Sequence, residues 1–480
     1  MAVMEQLPQP GRAAIIGWGM SGRAAGRALS SRGWDVTGFD QHDVAENNDR
    51  VEVIADADEL ATRVVQTAPD LIVMSPGIAP HEPVWQSALS ADIPIVGEME
   101  LAWLLQESGL HAGRPWLMVT GTNGKTTTVS MLAAMLRAGG ENALEVGNIG
   151  VPITQLIDDD ADVFAVEASS FQLYSTRTVS PEASVVLNVD ADHLNWHGSV
   201  EAYAQAKARI YENTCIACVY PSADRRIEKM VENADVIEGA RAIGFTLGTP
   251  AVSQVGIVED TLVDRAFLDE RRTHALHLAE FDDLVHVSGA QPSPALLMDA
   301  LAAAALARAH GVTPEAVAEG LRTFTQPAHR RAIISHAADM TWIDDSKATN
   351  AHAAAASLAG VTPGTAIWIA GGDAKGQNFD DLVTRVAPLL RGVVLIGVDR
   401  APLRNSLAAH APSVPVVEVD GHDDWMFSVV NEAVGLSRPG DTVLLAPATA
   451  SWDQFDNYGQ RGDVFAQAVQ RLEDMWNTNK

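Results

Sequence analysis

A chain of 480 residues carrying 62 Asp and Glu against 33 Lys and Arg, formally −29 at pH 7, is long enough for about three domains, each with its own core. It has no run of Lys and Arg that would track a phosphate backbone, which excludes nucleic acid and anionic membrane as expected partners. A nucleotide bound by so acidic a protein must be held by local devices: loop amides, metal ions and single basic side chains.

Residues 1–10 contain neither a basic segment nor an apolar one, and the longest Ala/Leu run, 301–307, is bounded by Asp299 and Arg308. The chain is therefore expected to be cytoplasmic, with no membrane insertion. Ala13–Ile16 reads as a buried strand running into Gly17-Trp18-Gly19-Met20-Ser21-Gly22, and a second strand from Asp35 ends in Asp40. This is the dinucleotide turn with its acid about 20 residues on. Alone it suggests an NAD-dependent dehydrogenase, but the same turn cradles the diphosphate of any nucleotide. With further strands at Leu71–Met74 and Ile93–Val96, residues 1–97 read as a Rossmann-like domain.

Residues 98–327 read as a second domain. An apolar strand, Trp116–Val119, enters Thr120-Gly121-Thr122-Asn123-Gly124-Lys125-Thr126-Thr127 and then a helix. Glycines let backbone N–H groups close around an anion, Lys125 supplies a point charge for the β/γ-phosphates, and the Thr126 hydroxyl suits Mg²⁺. The loop is shorter than a full Walker A, which would put Gly where Val119 stands, so an ordinary helix N-terminus is the plain alternative. Downstream, the strand from Asp162 delivers Glu167, where a phosphate-loop enzyme places its Mg²⁺ acid; a purely structural strand-end Glu is the alternative. Ser184–Asn188 repeats the device and leads to a polar loop holding Asp190, Asp192, His193 and His197. The two histidines stand four apart, but Leu194 occupies the place of the metalloprotease Glu, which argues against zinc hydrolysis.

Lys207 lies four residues from both Tyr203 and Tyr211 on a helix, a setting in which lysine ordinarily snorkels. Cys215 and Cys218, the two cysteines of the chain, are expected as buried thiols in a reducing compartment. Residues 245–290 alternate as small antiparallel strands, and 295–310 read as an Ala-rich helix. Residues 328–480 form a third, Rossmann-like domain whose strands end alike: Asp344-Asp345-Ser346-Lys347-Ala348-Thr349, Gly371-Gly372-Asp373-Ala374-Lys375 and Pro447-Ala448-Thr449-Ala450-Ser451. In open α/β sheets that rim is the ligand crevice. Helix capping accounts for Asp345 and Ser451 taken singly, though not for Lys347 and Lys375 in step. The expected fold class is α/β in three domains: N-terminal Rossmann-like, central P-loop ATPase-like and C-terminal Rossmann-like.

The strings VTGTNGKTTT (119–128), GNIG (147–150), VEASSFQL (166–173), AKARIYEN (206–213), AHRR (328–331), IDDSKATN (343–350), GGDAKG (371–376) and ATASWDQFDNYGQRG (448–462) together resemble the Mur ligases. The last string and the GxGxSG turn are most similar to the branch that adds D-glutamate to UDP-N-acetylmuramoyl-L-alanine. The resemblance implies an ATP-dependent ligase of peptidoglycan precursor synthesis, acting as a monomer on small-molecule substrates. Other Mur-type or folylpolyglutamate-type amide ligases are the nearer alternatives, the dehydrogenase a distant one. It also implies ATP at Gly121, Thr122, Asn123, Gly124, Lys125, Thr126 and Thr127, with Arg330 and Asp345 from the third domain. Two Mg²⁺ ions are implied at Thr126, Glu167, His193 and an N-carbamylated Lys207, which with Lys125 form the catalytic set. Met20, Ser21, Gly77, Asn148 and Ser169 are implied for the UDP substrate, and Lys347, Thr349, Lys375, Ser451 and Tyr458 for D-glutamate. The chain departs from the family pattern at Ala295, Leu296 and Asp299, where His-Asn and then Asn are usual, at Tyr458 for Phe, and at Gln41-His42.

Overall fold

Short apolar runs bounded by glycine become buried parallel strands, and the longer amphipathic runs between them become the crossover helices. The computed structural model describes residues 6–42, 50–288, 291–326, 328–374, 376–421 and 424–478. Among them lie three sheets, and the chain divides into two compact units, Met1–Thr325 and Gln326–Lys480.

The first sheet is parallel, in the order Val51–Val53, Asp35–Asp40, Arg12–Ile16, Leu71–Met74, Ile95–Gly97. Its order reverses between Arg12–Ile16 and Leu71–Met74, so the loops leaving those two strands flank a crevice. The second sheet runs Leu276–Glu280, Thr261–Asp264, Gln254–Val258, Arg241–Phe245, Ala217–Pro221, Ala183–Val186, Trp116–Thr120, Val163–Glu167, Ala143–Gly147. The two pairings among its first three strands are antiparallel and the rest are parallel. The alternating stretch expected to make small antiparallel strands does so at the edge of the central sheet. Trp116–Thr120 sits between Val163–Glu167 and Ala183–Val186, which brings the ends of those three strands together at the phosphate loop.

Both sheets share one unit for a packing reason. The helix Glu98–Glu107 connects them and is buried nearly all round, through Met99, Leu101, Ala102, Leu104 and Leu105. A single apolar cluster runs from Ile15, Trp34 and Val73 through these residues to Trp116, Phe164 and Val166. Burying a side chain of this size contributes about 1.5–3 kcal/mol, so one face of the first sheet closes against the second sheet, while its other face keeps a core of its own around Ile16, Phe39, Leu60, Val64, Ile72 and Trp85.

In the second unit a parallel sheet, Thr341–Asp344, Thr442–Leu445, Ala366–Gly371, Leu390–Ile396, Val416–Glu418, carries one antiparallel edge strand, Ala332–Ser335. Trp342, Trp368 and Phe465 fill its two faces. No helix among the described residues is long and apolar enough to cross a membrane.

Candidate active site

Gly124 is the N-cap of the helix Lys125–Ala138, at φ +83°, a left-handed conformation that glycine adopts without the steric cost borne by other residues. A Cβ there would also overlap the carboxylate of Asp299, which reaches the loop from the helix Pro294–His310. The loop is tied to the neighbouring strand end by Asn188, whose Oδ1 accepts the Asn123 N–H at 2.9 Å and whose Nδ2 donates to the Asn123 carbonyl at 3.1 Å.

Lys125 Nζ donates to the carbonyls of Gly121 (2.9 Å) and Thr122 (3.0 Å). Lys207 Nζ reaches the same Gly121 carbonyl at 2.8 Å and Thr120 Oγ1 at 3.3 Å. Snorkelling is ruled out, because Lys207 is 1 % exposed; its Nζ instead lies 4.6 Å from the Tyr203 ring centroid. Burial, and after it the charge of Lys125, hold the Lys207 ammonium well below the usual lysine range, against opposing contributions from Asp192 and Glu167.

Glu167 is buried at the end of its strand. Its Oε2 accepts from Thr126 Oγ1 at 2.5 Å and its Oε1 from Asn148 Nδ2 at 2.8 Å. His193 stands at φ +51° ahead of the short helix Leu194–His197, with Nε2 3.6 Å from Asp192 Oδ2 and its ring edge-on to Phe171. His197 faces Ser170 Oγ at 2.9 Å, and burial, with the charges of His193 and Lys207, pushes it down to about 4. It is therefore neutral at pH 7. Among the described residues no group of three or more His, Cys, Asp or Glu is gathered as a metal cage. A hydroxyl, one carboxylate and the open face of a phosphate loop are instead the oxygen donors that Mg²⁺ takes, since it keeps waters and substrate phosphates as its other ligands.

The five residues implied for the UDP substrate separate into two groups. Gly77 lines a cleft of about 250 Å³ at the first sheet, with Gly17, Asp40, Gln41 and His42. Met20, 59 % exposed, and Ser21 open the adjoining helix without lining that cleft. Asn148 and Ser169 lie beside Glu167 instead, Ser169 forming a capping box with Gln172 over the helix Ser170–Tyr174. The fingerprint acid Asp40 accepts the N–H groups of Trp18 (2.7 Å) and His42 (3.0 Å), so its carboxylate closes the glycine turn.

In the second unit Lys347 Nζ lies 3.9 Å from the Tyr458 ring centroid, and the Thr349 N–H bonds the Lys347 carbonyl at 2.7 Å. Ser451 is buried. Asp345 is pushed up to about 6 by burial, against the Ser357 hydroxyl and the charges of Arg330 and Arg331. Lys375 lies outside the described residues. Sequence reasoning missed Arg461. Its buried guanidinium donates to Ser346 Oγ (2.9 Å), to the Ser346 carbonyl (2.8 Å) and to the Thr449 and Ala450 carbonyls (3.3 Å each), joining two strand-end loops of the rim. It stands in the QRG end of the last motif, but no spacing rule singles it out. His329 is a second such residue, with Nδ1 2.6 Å from Asp344 Oδ2.

Family models match along the chain: the Mur ligase MurD-like N-terminal domain at 11–97, the Mur ligase middle domain at 119–289 and the Mur ligase glutamate ligase domain at 329–449. Similar relatives include the UDP-N-acetylmuramoylalanine–D-glutamate ligases of Streptomyces coelicolor (49 % identical, 95 % of this chain and 97 % of that protein) and Streptomyces avermitilis (50 %, 95 % and 97 %). That of Thermobifida fusca is 46 % identical over 96 % and 98 %. Among solved structures, the UDP-N-acetylmuramate-alanine ligase MurC of Thermotoga maritima matches in fold at a TM-score of 0.55 and 18 % identity, covering 98 % of this chain and all of that one. MurF of the same organism, in complex with ADP, matches at 0.55 and 14 %, over 97 % and 96 %. With all three regions matched in order and near-full-length relatives at almost half identity, the chain belongs to the Mur ligase family.

Proposed function

We infer that the chain is an ATP-dependent ligase that joins D-glutamate to UDP-N-acetylmuramoyl-L-alanine in peptidoglycan precursor synthesis. The observation that carries this reading is the 49–50 % identity, over 95 % of the chain, to relatives bearing that name. The reaction has two steps. A carboxylate oxygen of the L-alanyl group attacks the γ-phosphorus and ADP leaves; the free amine of D-glutamate then attacks the acyl carbon, phosphate departs and the amine loses a proton.

Each assigned residue has a task in those steps. The amides of 121–127 and Lys125 hold the ATP phosphates, and Arg330 and Asp345 serve the nucleotide from the third domain. The chain divides functionally at 1–97, 98–327 and 328–480. The first part takes the UDP moiety through Met20, Ser21 and Gly77, with Asn148 and Ser169 towards its peptide end. Lys347, Thr349, Lys375, Ser451 and Tyr458 take D-glutamate. Thr126, Glu167 and His193 would hold Mg²⁺, and a carbamate on Lys207 would serve a second ion. Bound there, Mg²⁺ offsets the negative charge of phosphate oxygens and carboxylate brought together. The setting of Lys207 suits carbamylation: a neutral Nζ adds its lone pair to CO₂ and releases a proton, and the lowered pKa supplies that neutral amine. The protein acts as a monomer in the cytoplasm.

ADP release from ATP and UDP-N-acetylmuramoyl-L-alanine, measured across a panel of amino acids, should require D-glutamate; equal turnover with another amino acid would reject the assignment. Lys207→Ala should lose activity and regain part of it with acetate, and a carbamate carbon signal should appear from labelled bicarbonate in the parent but not in the variant. Full activity of the variant without acetate would falsify the carbamate.

A further inference from the structure

The connecting helix Glu98–Glu107 begins with two carboxylates, Glu98 and Glu100, each 2 % exposed. Isolated buried carboxylates are costly and persist where several donors hold them. Here the donors come from two segments distant in sequence. Glu98 Oε1 accepts the Thr154 N–H at 2.7 Å and the Thr154 hydroxyl at 2.8 Å; its Oε2 is enclosed, with no hydrogen-bond partner among the described residues. Glu100 uses both oxygens: Oε1 accepts the Thr178 N–H at 2.9 Å and hydroxyl at 2.7 Å, and Oε2 accepts the Arg177 N–H at 2.8 Å.

Those segments are the two arms that flank Glu167. Thr154 belongs to the short helix Ile153–Leu156, just beyond the loop of Asn148, which bonds Glu167 through both its side chain and its backbone N–H, each at 2.8 Å. Arg177 and Thr178 follow the helix Ser170–Tyr174, whose cap, Ser169, is two residues past Glu167. The connecting helix, for its part, continues directly from Ile95–Gly97, the strand paired with Leu71–Met74, and the loop leaving Leu71–Met74 carries Gly77 and Ile78 into the first-sheet cleft. The helix thus starts from the strand beside the one whose loop enters the cleft, and its first turn grips both arms of the Glu167 frame.

We propose that Glu98 and Glu100 are positioning residues that tie the geometry of the Glu167–Thr126 pair to occupancy of the first-sheet cleft, so that a nucleotide-sugar there and a Mg²⁺-nucleotide at the phosphate loop change each other's affinity. The proposal rests on the reading above for what occupies each site. A two-ligand coupling of this kind is reciprocal and is measured as a ratio of affinities.

The test is calorimetric titration with ADP and Mg²⁺, with and without UDP-N-acetylmuramoyl-L-alanine, on the parent protein and four variants. The sugar nucleotide should change the parent's Kd for Mg²⁺-ADP at least about fivefold. Glu100→Gln sets an amide NH₂ against backbone donors and should bring the ratio within about twofold of one. Thr178→Val and Thr154→Val each remove one donor hydroxyl, keep the helix intact and should reduce the ratio in the same sense, so the outcome does not depend on Glu100→Gln folding. Glu98→Gln keeps the accepting oxygen and places the NH₂ where the partnerless Oε2 stood, so it should preserve the ratio. A parent ratio of one, or a ratio unchanged in the Thr178 and Thr154 variants, overturns the clamp while leaving D-glutamate-dependent turnover intact. Absence of both sugar-nucleotide binding and turnover removes the functional reading, and the clamp with it.

Discussion

At the scale of single residues, the phosphate loop is constrained twice at Gly124, by its positive φ and by the Asp299 carboxylate against it. Gly124→Ala should therefore weaken Mg²⁺-ADP binding at least tenfold, since a left-handed non-glycine residue costs about 1–2 kcal/mol before any displacement of Asp299. Calorimetry reads this directly, and an unchanged Kd would show that the loop relaxes freely. The glycine and the lysine beside it were legible because the chemistry of anion binding demands those residue types at adjacent positions. Asp299 was placed near the nucleotide only through the family resemblance, and its approach to Gly124 was not legible in the spacing, since it arrives from a distant helix whose register is set by packing. The burial of Lys207 escaped sequence reading for a related reason: a lysine between tyrosines looks amphipathic until the helix face is known.

At the scale of elements, Arg461 holds two strand-end loops of the third sheet in one arrangement. Burial pushes its guanidinium down to about 10, with the charges of Asp453 and Asp344 opposing, so it remains a cation at neutral pH. Arg461→Lys keeps the charge but loses the planar fork. The KM for D-glutamate should rise about tenfold or more with a smaller change in kcat, and equal losses in both would assign Arg461 to general stability instead. The helix Pro294–His310 ends at His310, whose Nδ1 lies 2.9 Å from Glu182 Oε1. That hydrogen bond raises the imidazolium pKa above its ordinary value, burial opposing. A raised folded-state pKa contributes stability that is fully present below the unfolded value near 6.5 and is lost as pH climbs through the folded one. The advantage of the parent over His310→Gln, roughly 1–2 kcal/mol for a charge-assisted bond, should therefore be largest near pH 6 and fade by pH 9 in urea unfolding. A pH-independent difference would remove the charge from the account.

At the scale of the whole molecule, the division at Thr325/Gln326 predicts two calorimetric transitions. Mg²⁺-ADP should raise the transition of Met1–Thr325, which contains the phosphate loop, more than that of Gln326–Lys480. At a free ligand concentration 100 times Kd the stabilisation is about 2.7 kcal/mol, and equal shifts in both would contradict the assignment. The sequence by itself determined the three α/β regions, the glycine-lysine loop that follows Trp116–Thr120 and the place of Glu167 at a strand end. Each of these is written in adjacent residues, as apolar strands of fixed length followed by glycines or charges that the next turn must expose. The tertiary structure alone decided that the first two sheets share a core, that Lys125 and Lys207 converge on one carbonyl, and that Glu98 and Glu100 grip both flanks of Glu167. Those outcomes depend on which distant segments the crossovers bring together and on how much water they exclude. Neither pairing nor burial is a local property of a sequence.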